Sequence, residues 1–319
     1  MPNRKKILIT IPFHEAQLEK IVQAAQGYEV SFMQGNGITE EEMLQAEAIM
    51  GNIPASIVQK SEHLKWLQLN SAGADAYCVP GVMKQDQILT NASGAYDISV
   101  SENMVAYSFL MMKNLLAYRE NQQHHIWKDA GKAVAAYKST VLVIGLGKIG
   151  LSYAKRMKAM GSYVIGVKKH EGTVPEEIDE LYTMDHLMDC IGRADLVACV
   201  LPGTADTKGM IGHQQFAAMK KTAFFINVGR GDTVDLEALC DALETGELAG
   251  AAIDVAVPEP LPADHRAWNT TNLFITPHIA GGYHIPVTLD IISDICAENL
   301  KRYLRGEPLT HVVNRDFGY

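Results

Sequence analysis

Residues 139–170 read STVLVIGLGKIGLSYAKRMKAMGSYVIGVKKH, and their spacing decides the fold. The apolar run Val141 to Ile144 leads into Gly145-x-Gly147-x-x-Gly150, an amphipathic segment follows, and a second apolar run begins at Tyr163. The triple-glycine pattern alone is weak evidence, and a glycine-rich packing turn in any α/β protein would also produce it. Set between a strand and a helix, with a second strand closing the unit, it becomes specific. Gly145 would permit the tight turn, Gly147 would let the backbone approach a pyrophosphate, and Gly150 would let helix pack closely on strand. The N–H groups of Lys148 and Ile149 would then sit at a helix N-terminus, where a phosphate is favoured.

The end of the second strand refines the ligand. A protein reading NAD carries Asp or Glu about 20 residues past the turn, on the ribose 2′-hydroxyl. Val167-Lys168-Lys169-His170 stands there instead. Ammonium groups attract a 2′-phosphate where a carboxylate would repel it, so Lys168 and Lys169 predict NADP as the preferred cofactor. NAD, bound with little selectivity, is the alternative.

Outward from this unit, strand and helix signals alternate along the whole chain. KILITIPF reads as a first strand, HEAQLEKIVQAAQG as a helix with a glycine stop, and YEVSFM as a strand. Thr39 to Glu42 opens EEEMLQAEAIM as a capping box, and LKWLQLN ends in the small-residue turn SAGAD. Ser99-x-x-Glu102 reads as a second capping box before a long apolar helix, ENMVAYSFLMMKNLLAYREN, whose methionines suit core or subunit packing. Such alternation predicts parallel sheets flanked by helices.

Bulk properties narrow the class. With 319 residues the chain is long enough for about two domains. A net charge of −9, without any basic block, argues against nucleic acid and anionic membrane as partners. The N-terminus is basic and then apolar, but the apolar part is short and no small-residue cleavage site follows. No run approaches the ~20 apolar residues of a membrane span. Five cysteines, odd in number and far apart, fit a reducing cytoplasm. The histidines show no HxxxH or HExxH spacing, so no metal site is expected.

Three further stretches place charge or imidazole at the carboxyl ends of apolar runs, where open α/β sheets bind ligands. FFINVGRGDTVD holds Arg230, AAIDVAVPEPLP holds Asp254 and Glu259, and LFITPHIAGG holds His278. Taken singly, these read as a loop ion pair, a solvated acid and a satisfied histidine. Together they form a set able to bind an anion and run acid–base chemistry.

With VIGLGKIG, ADLVACVLPGTADTKGMI, MKKTAFFINVGRGDTVD, DVAVPEPLP and NLFITPHIAG in place, the sequence resembles the D-isomer-specific 2-hydroxyacid dehydrogenases over most of residues 67–282. The ending VVNRDFGY is similar too. The resemblance implies that Arg230 holds the substrate carboxylate and 2-oxo group, that His278 is the acid/base, and that Glu259 is its hydrogen-bonded partner. It implies that Ser71, Ala72 and Gly73 offer backbone N–H groups to the substrate carboxylate, and that Asp254 contacts the nicotinamide carboxamide. Leu201, Pro202 and Thr207 would line the cofactor, with Asn227, Val228 and Gly229 beside it.

Two departures stand out: Ala256 replaces the family's usual aromatic after Asp-Val, and ENMVA stands where many relatives carry Glu-His. Trp127 and Trp268 would lie near a cleft or subunit interface by resemblance, while the bare sequence allows them as core anchors. The expected architecture is two doubly wound parallel-sheet α/β domains with the active site in the cleft between them. Residues 1–101 plus 283–319 would form the flavodoxin-like substrate domain, and 102–282 the Rossmann dinucleotide-binding domain. The implied activity is hydride transfer between NAD(P)H and a small 2-oxo acid such as glyoxylate, hydroxypyruvate or a short aliphatic relative, in a homodimer. No regulatory C-terminal domain is visible, which argues against a regulated serine-pathway enzyme. A dinucleotide-sensing binding protein on the same fold is the alternative.

Overall fold

The computed structural model describes residues 6–25, 28–32 and 38–315. The glycine stop at Gly27, Met33 of the second strand and the last four residues of VVNRDFGY lie outside these residues. The chain divides into two compact units, Met1–Tyr96 with Tyr283–Tyr319, and Asp97–Gly282.

The first unit contains strands β1 (Lys6–Ile9), β2 (Glu29–Phe32), β3 (Ala48–Met50), β4 (Trp66–Gln68) and β5 (Ile88–Thr90). Its first three helices are α1 (Glu15–Ala24), α2 (Glu40–Gln45) and α3 (Ala55–Lys60). The strands pair in the order β2-β1-β3-β4-β5, every neighbour parallel, which is the flavodoxin-like order. The Thr39 capping box forms: the Glu42 amide donates to Thr39 Oγ1 and the Thr39 amide to Glu42 Oε2. The helix it opens is shorter than EEEMLQAEAIM suggests. Ala48–Met50 is the fully buried strand β3, because a short apolar run does not distinguish buried strand from helix.

The second unit begins with α4 (Asp97–Met112) and α5 (Leu115–Gln123), then alternates β6 (Thr140–Ile144), α6 (Lys148–Ala159), β7 (Tyr163–Lys168), β8 (Glu180–Thr183), α7 (Leu187–Ile191), β9 (Leu196–Cys199), α8 (His213–Ala218), β10 (Phe224–Asn227), α9 (Leu236–Glu244), β11 (Gly250–Ile253) and β12 (Leu273–Ile275). The chain then returns to the first unit as α10 (Pro286–Arg305), opened by Pro286 and closed by Gly306 at φ 67°. The larger sheet is parallel throughout, in the order β12-β11-β10-β9-β6-β7-β8. Counted from β6, this is the doubly wound dinucleotide order with a seventh strand added at the edge. The order reverses between β6 and β9, so a ligand crevice is expected at their carboxyl ends. Central strands β9, β10 and β11 are buried along their whole length, as strands covered by helices on both faces must be.

Several sequence expectations are corrected. Ser99 is not a cap: α4 starts at Asp97, and Ser99 is buried in its first turns with Oγ donating to the Ala280 carbonyl. The helix therefore joins the second unit from Asp97, five residues earlier than the boundary expected after Ser101. The long helix is also two helices. Asn114 breaks it in the left-handed region at φ 54°, a conformation asparagine tolerates, and its side chain donates to the Lys132 carbonyl. Trp127 and Trp268 are not core anchors, being 104% and 48% exposed. The buried tryptophan is Trp66, which stacks on Tyr303 and donates to Thr90.

Candidate active site

The loop after β12 carries His278. Its backbone sits at φ 53°, a left-handed conformation costing a non-glycine residue roughly 1–3 kcal/mol unless the surroundings impose it. Here they do: the His278 amide donates to the carbonyls of Asp254 (2.8 Å) and Thr276 (3.1 Å). The Asp254 carboxylate, buried at the end of β11, collects Thr276 Oγ1 at 2.6 Å, the Ile279 amide at 2.9 Å and the Ala280 amide at 3.0 Å. Tyr107 of α4 stands 2.8 Å from Thr276 Oγ1. The Thr276 proton is committed to the carboxylate, which only accepts, so Tyr107 is the donor in that contact. Burial pushes the Tyr107 phenol up to about 12, so it remains a neutral donor. Asn103 donates to the carbonyls of Ser99 and Ala280.

The loop thus fixed presents His278 Nδ1 to Glu259 Oε2 at 2.8 Å, while Glu259 Oε1 accepts the Ala256 amide at 3.0 Å. An ionised carboxylate only accepts, so Nδ1 carries the proton of this contact and Nε2 is left for chemistry. The His278 side chain is 52% exposed, within reach of an incoming molecule.

Arg230 lies on the loop after β10, between two glycines that contact backbone on both sides. A Cβ at Gly229 would come within 2.8 Å of the Leu201 nitrogen, and one at Gly231 would collide with the Ala256 carbonyl. The arginine loop is therefore wedged between the loop after β9 and the loop that carries Glu259. Asn227, buried, shapes it further: Oδ1 accepts the Gly229 amide and Nδ2 donates to the Arg230 carbonyl. Val228 donates its amide to the Cys199 carbonyl. Thr207 knits the loop after β9, with Oγ1 donating to the Pro202 carbonyl and accepting the Thr204 amide. Leu201 and Thr207 are both buried.

The glycine turn after β6 has three distinct environments. Gly145 adopts φ +99°, and a Cβ there would lie 2.6 Å from the Val200 carbonyl oxygen. A Cβ on Gly150 would strike the Gly145 carbonyl oxygen and sit 3.3 Å from Val143. At Gly147 a Cβ would meet nothing within 4 Å. The protein itself does not require glycine at that position, and without a Cβ the backbone there is open to close approach by a ligand. Gly147 caps α6, whose first amides, on Lys148 and Ile149, have no intrahelical acceptor. These residues fit a dinucleotide pyrophosphate.

A sequence profile described as "D-isomer specific 2-hydroxyacid dehydrogenase, NAD binding domain" matches residues 105–280. The chain belongs to the D-isomer-specific 2-hydroxyacid dehydrogenases, a family of NAD(P)-dependent oxidoreductases. Among its relatives is a D-3-phosphoglycerate dehydrogenase of Methanocaldococcus jannaschii, 32% identical over 97% of this chain. The match spans only 59% of that enzyme's length. A probable 2-ketogluconate reductase of Dictyostelium discoideum is 30% identical over 97% of this chain and 95% of its own. Among solved structures, a family protein from Aeromonas salmonicida superposes with a TM-score of 0.87 at 29% identity, covering 98% of this chain and 100% of that one. An NADPH-dependent glyoxylate/hydroxypyruvate reductase from Sinorhizobium meliloti, solved with NADP and sulfate, gives 0.82 at 26% identity over 99% and 100%.

In this dehydrogenase the turn Ser71-Ala72-Gly73 belongs to the first unit, just past β4. Its three carbonyls are engaged: Ser71 accepts from the Ala92 amide, Ala72 from Asn91 Nδ2, and Gly73 from Ser71 Oγ. Its three amides have no acceptor among the described residues. Asn70 anchors the turn by exchanging backbone-to-side-chain hydrogen bonds with Asn52, at 2.7 and 3.2 Å. Tyr283 and Tyr96 hydrogen-bond to Asn70 as well. Nothing in the sequence pattern singled out Asn52, Asn70, Tyr96 or Tyr283. Tyr107 and Thr276 were equally unmarked, although Thr276 directly precedes the Pro-His pair.

Lys168 closes β7, and Lys169 just beyond it contacts Asp206 at 2.9 Å. Among the described residues no group of three or more His, Cys, Asp or Glu side chains is arranged to hold a metal. No helix among them is long and apolar enough to cross a membrane.

Proposed function

We propose that this chain reduces a small 2-oxo acid, of the size of glyoxylate, hydroxypyruvate or a short aliphatic relative, with NADPH preferred over NADH. The observation that carries this reading is the His278–Glu259 pair, held on a strained backbone by a buried carboxylate. Bound NAD(P)H supplies the hydride. As negative charge builds on the substrate carbonyl oxygen, the Arg230 guanidinium stabilises it and His278 Nε2 delivers a proton. Before that transfer Glu259 balances the imidazolium, which the loss of the Nε2 proton returns to neutral imidazole. Asp254 sets the loop geometry and keeps acceptor capacity for a carboxamide, since a carboxylate has about four lone-pair sites and three are taken. The unspent amides of Ser71, Ala72 and Gly73, with Arg230, are the donors for the substrate carboxylate. Hence residues up to Tyr96 with those from Tyr283 act as the substrate domain, and Asp97–Gly282 as the dinucleotide domain.

Lys168 and Lys169 support NADPH, as positive charge at the strand end that reads the ribose. We also propose a homodimer. Leu115, Leu116 and Tyr118 of α5, with Ile126 and Trp127 after it, expose an apolar surface that a second copy would cover. All five thiols are unpaired, and a reducing cytoplasm is the compartment we assign.

The test is initial rates of NADPH and NADH oxidation against a panel of 2-oxo acids. Turnover with NADPH ahead of NADH is expected. Faster turnover with NADH would reverse the cofactor assignment, and tight dinucleotide binding without turnover would make the chain a sensor.

A further inference from the structure

We propose that Asp206, on the loop after β9, sets the choice between NAD and NADP, doing from a neighbouring strand what an acid at the end of β7 does in an NAD-binding protein. The sequence puts lysines at that strand end, and the fold brings a carboxylate back to them. Asp206 Oδ2 lies 2.9 Å from Lys169 Nζ. Strands β7 and β9 both flank β6, so this contact passes over the end of β6, above the glycine turn. That is the adenosine side of the crevice, where the ribose 2′ substituent is read.

The pair is built to open. Both side chains are more than half exposed, at 53% and 70%, and solvent screening keeps such exposed ion pairs weak. Lys169 keeps the Asp206 carboxyl below its ordinary range, so it is ionised at neutral pH. Facing a ribose 2′-hydroxyl, an ionised Asp206 is a hydrogen-bond acceptor whose charge Lys169 balances. Facing a 2′-phosphate, it adds a third negative charge beside two, and it competes for Lys169. Lys168 has no acceptor among the described residues and lies close to Gly172, where a Cβ would come within 2.8 Å of its Nζ. Lys168 is thus the standing phosphate ligand, and Asp206 the brake on it. Glu171, the other acid near the strand end, makes no hydrogen bond or ion pair among the described residues and has no such role.

The inference rests on the family's use of NAD(P), and its test reads binding, not turnover. The full chain, Asp206→Asn and Glu171→Gln are titrated calorimetrically with NADPH, NADH and 2′,5′-ADP at one salt concentration. Asp206→Asn is expected to tighten NADPH and 2′,5′-ADP roughly fivefold and to leave NADH unchanged or weaker. Glu171→Gln is expected to leave the ratio of the two dinucleotide affinities where it was. An unchanged ratio in Asp206→Asn overturns the proposal. So does a weakening of NADPH beyond that of NADH, which would make Asp206 an aligner of Lys169, and so does a ratio that moves with Glu171 instead. An unaltered chain that binds neither dinucleotide overturns the cofactor reading together with the proposal.

Discussion

The two sheets end in different chemistry. At the carboxyl ends of the seven-stranded sheet stand Arg230, Asp254, Glu259, His278 and the lysines after β7, on loops kept close by glycines. At the corresponding ends of the five-stranded sheet stand Asn52 after β3, Asn70 and Ser71 after β4, and Asn91 after β5, all neutral. One sheet end gathers the charged and titratable groups of the proposed chemistry, and the other holds a turn whose amides have no acceptor among the described residues. Both sheets are wound in parallel, so fold alone does not assign these jobs.

The sharpest way to break that contrast is to remove the imidazole. His278→Ala should lower kcat by about a thousandfold, within the range for a general acid–base group, and leave dinucleotide affinity nearly intact. Stopped-flow single turnovers together with dinucleotide titration separate the two quantities. Equal loss of both would make His278 a structural residue. Asp254→Ala removes a buried acceptor of three hydrogen bonds, leaving the Ile279 and Ala280 amides without this acceptor and the Thr276 hydroxyl with Tyr107 alone. A loss of about 3 kcal/mol in urea unfolding is expected, accompanied by a fall in kcat as the His278 backbone relaxes.

The contrast also explains what was legible in the sequence. The larger sheet announced itself, since Gly145-x-Gly147-x-x-Gly150 between apolar runs has few physical readings, and an arginine flanked by glycines has fewer. In the structure each of those glycines is forced by protein backbone except Gly147, where a Cβ would meet nothing. The polar ends of the smaller sheet were nearly silent. Asparagine and serine are ordinary turn residues, and their pairing joins positions as distant as Asn70 and Tyr283. Ion pairs between loops were silent for the same reason: the lysines after β7 were visible, and Asp206 beside them was not. Helix limits misled where a hydroxyl served a tertiary partner, as Ser99 does, or where a left-handed asparagine interrupted an apolar run, as Asn114 does.

A smaller effect tests the neutral end directly. Asn70→Ala frees the Asn52 amide and the Tyr283 hydroxyl, keeps the backbone carbonyl that Tyr96 donates to, and loosens the Ser71 turn. Raised KM, by roughly tenfold, with kcat little changed is the expected signature of losing about one good hydrogen bond to the substrate carboxylate. Tyr283→Phe should show the same direction at a fraction of the size. A fall in kcat without a change in KM would mean that this turn does not bind the carboxylate.

The smallest expected effect concerns a charge that neither sheet end uses. Asp97 opens α4 with Oδ1 buried and without a hydrogen-bond partner. Burial raises its pKa, with Lys148 and Arg156 pulling it back only in part. The folded value thus lies above the unfolded one, and the sign follows: below the unfolded value both states are protonated and Asp97 leaves stability unchanged. As pH rises through the folded value, the unfolded chain releases the proton more readily and stability is lost. Asp97→Asn should therefore match the unaltered chain at pH 3.5 and exceed it in thermal midpoint near pH 7, by a margin that stops growing once the folded carboxyl is fully ionised. Because Lys148 heads α6, the helix proposed to receive the pyrophosphate, the same variant also sharpens the comparison between the sheets. If the neutral side chain changes dinucleotide affinity as well as stability, Asp97 belongs to the charged end of the larger sheet. If only the midpoint moves, its carboxylate is a buried charge that the fold tolerates at the start of α4, where the helix dipole favours an anion.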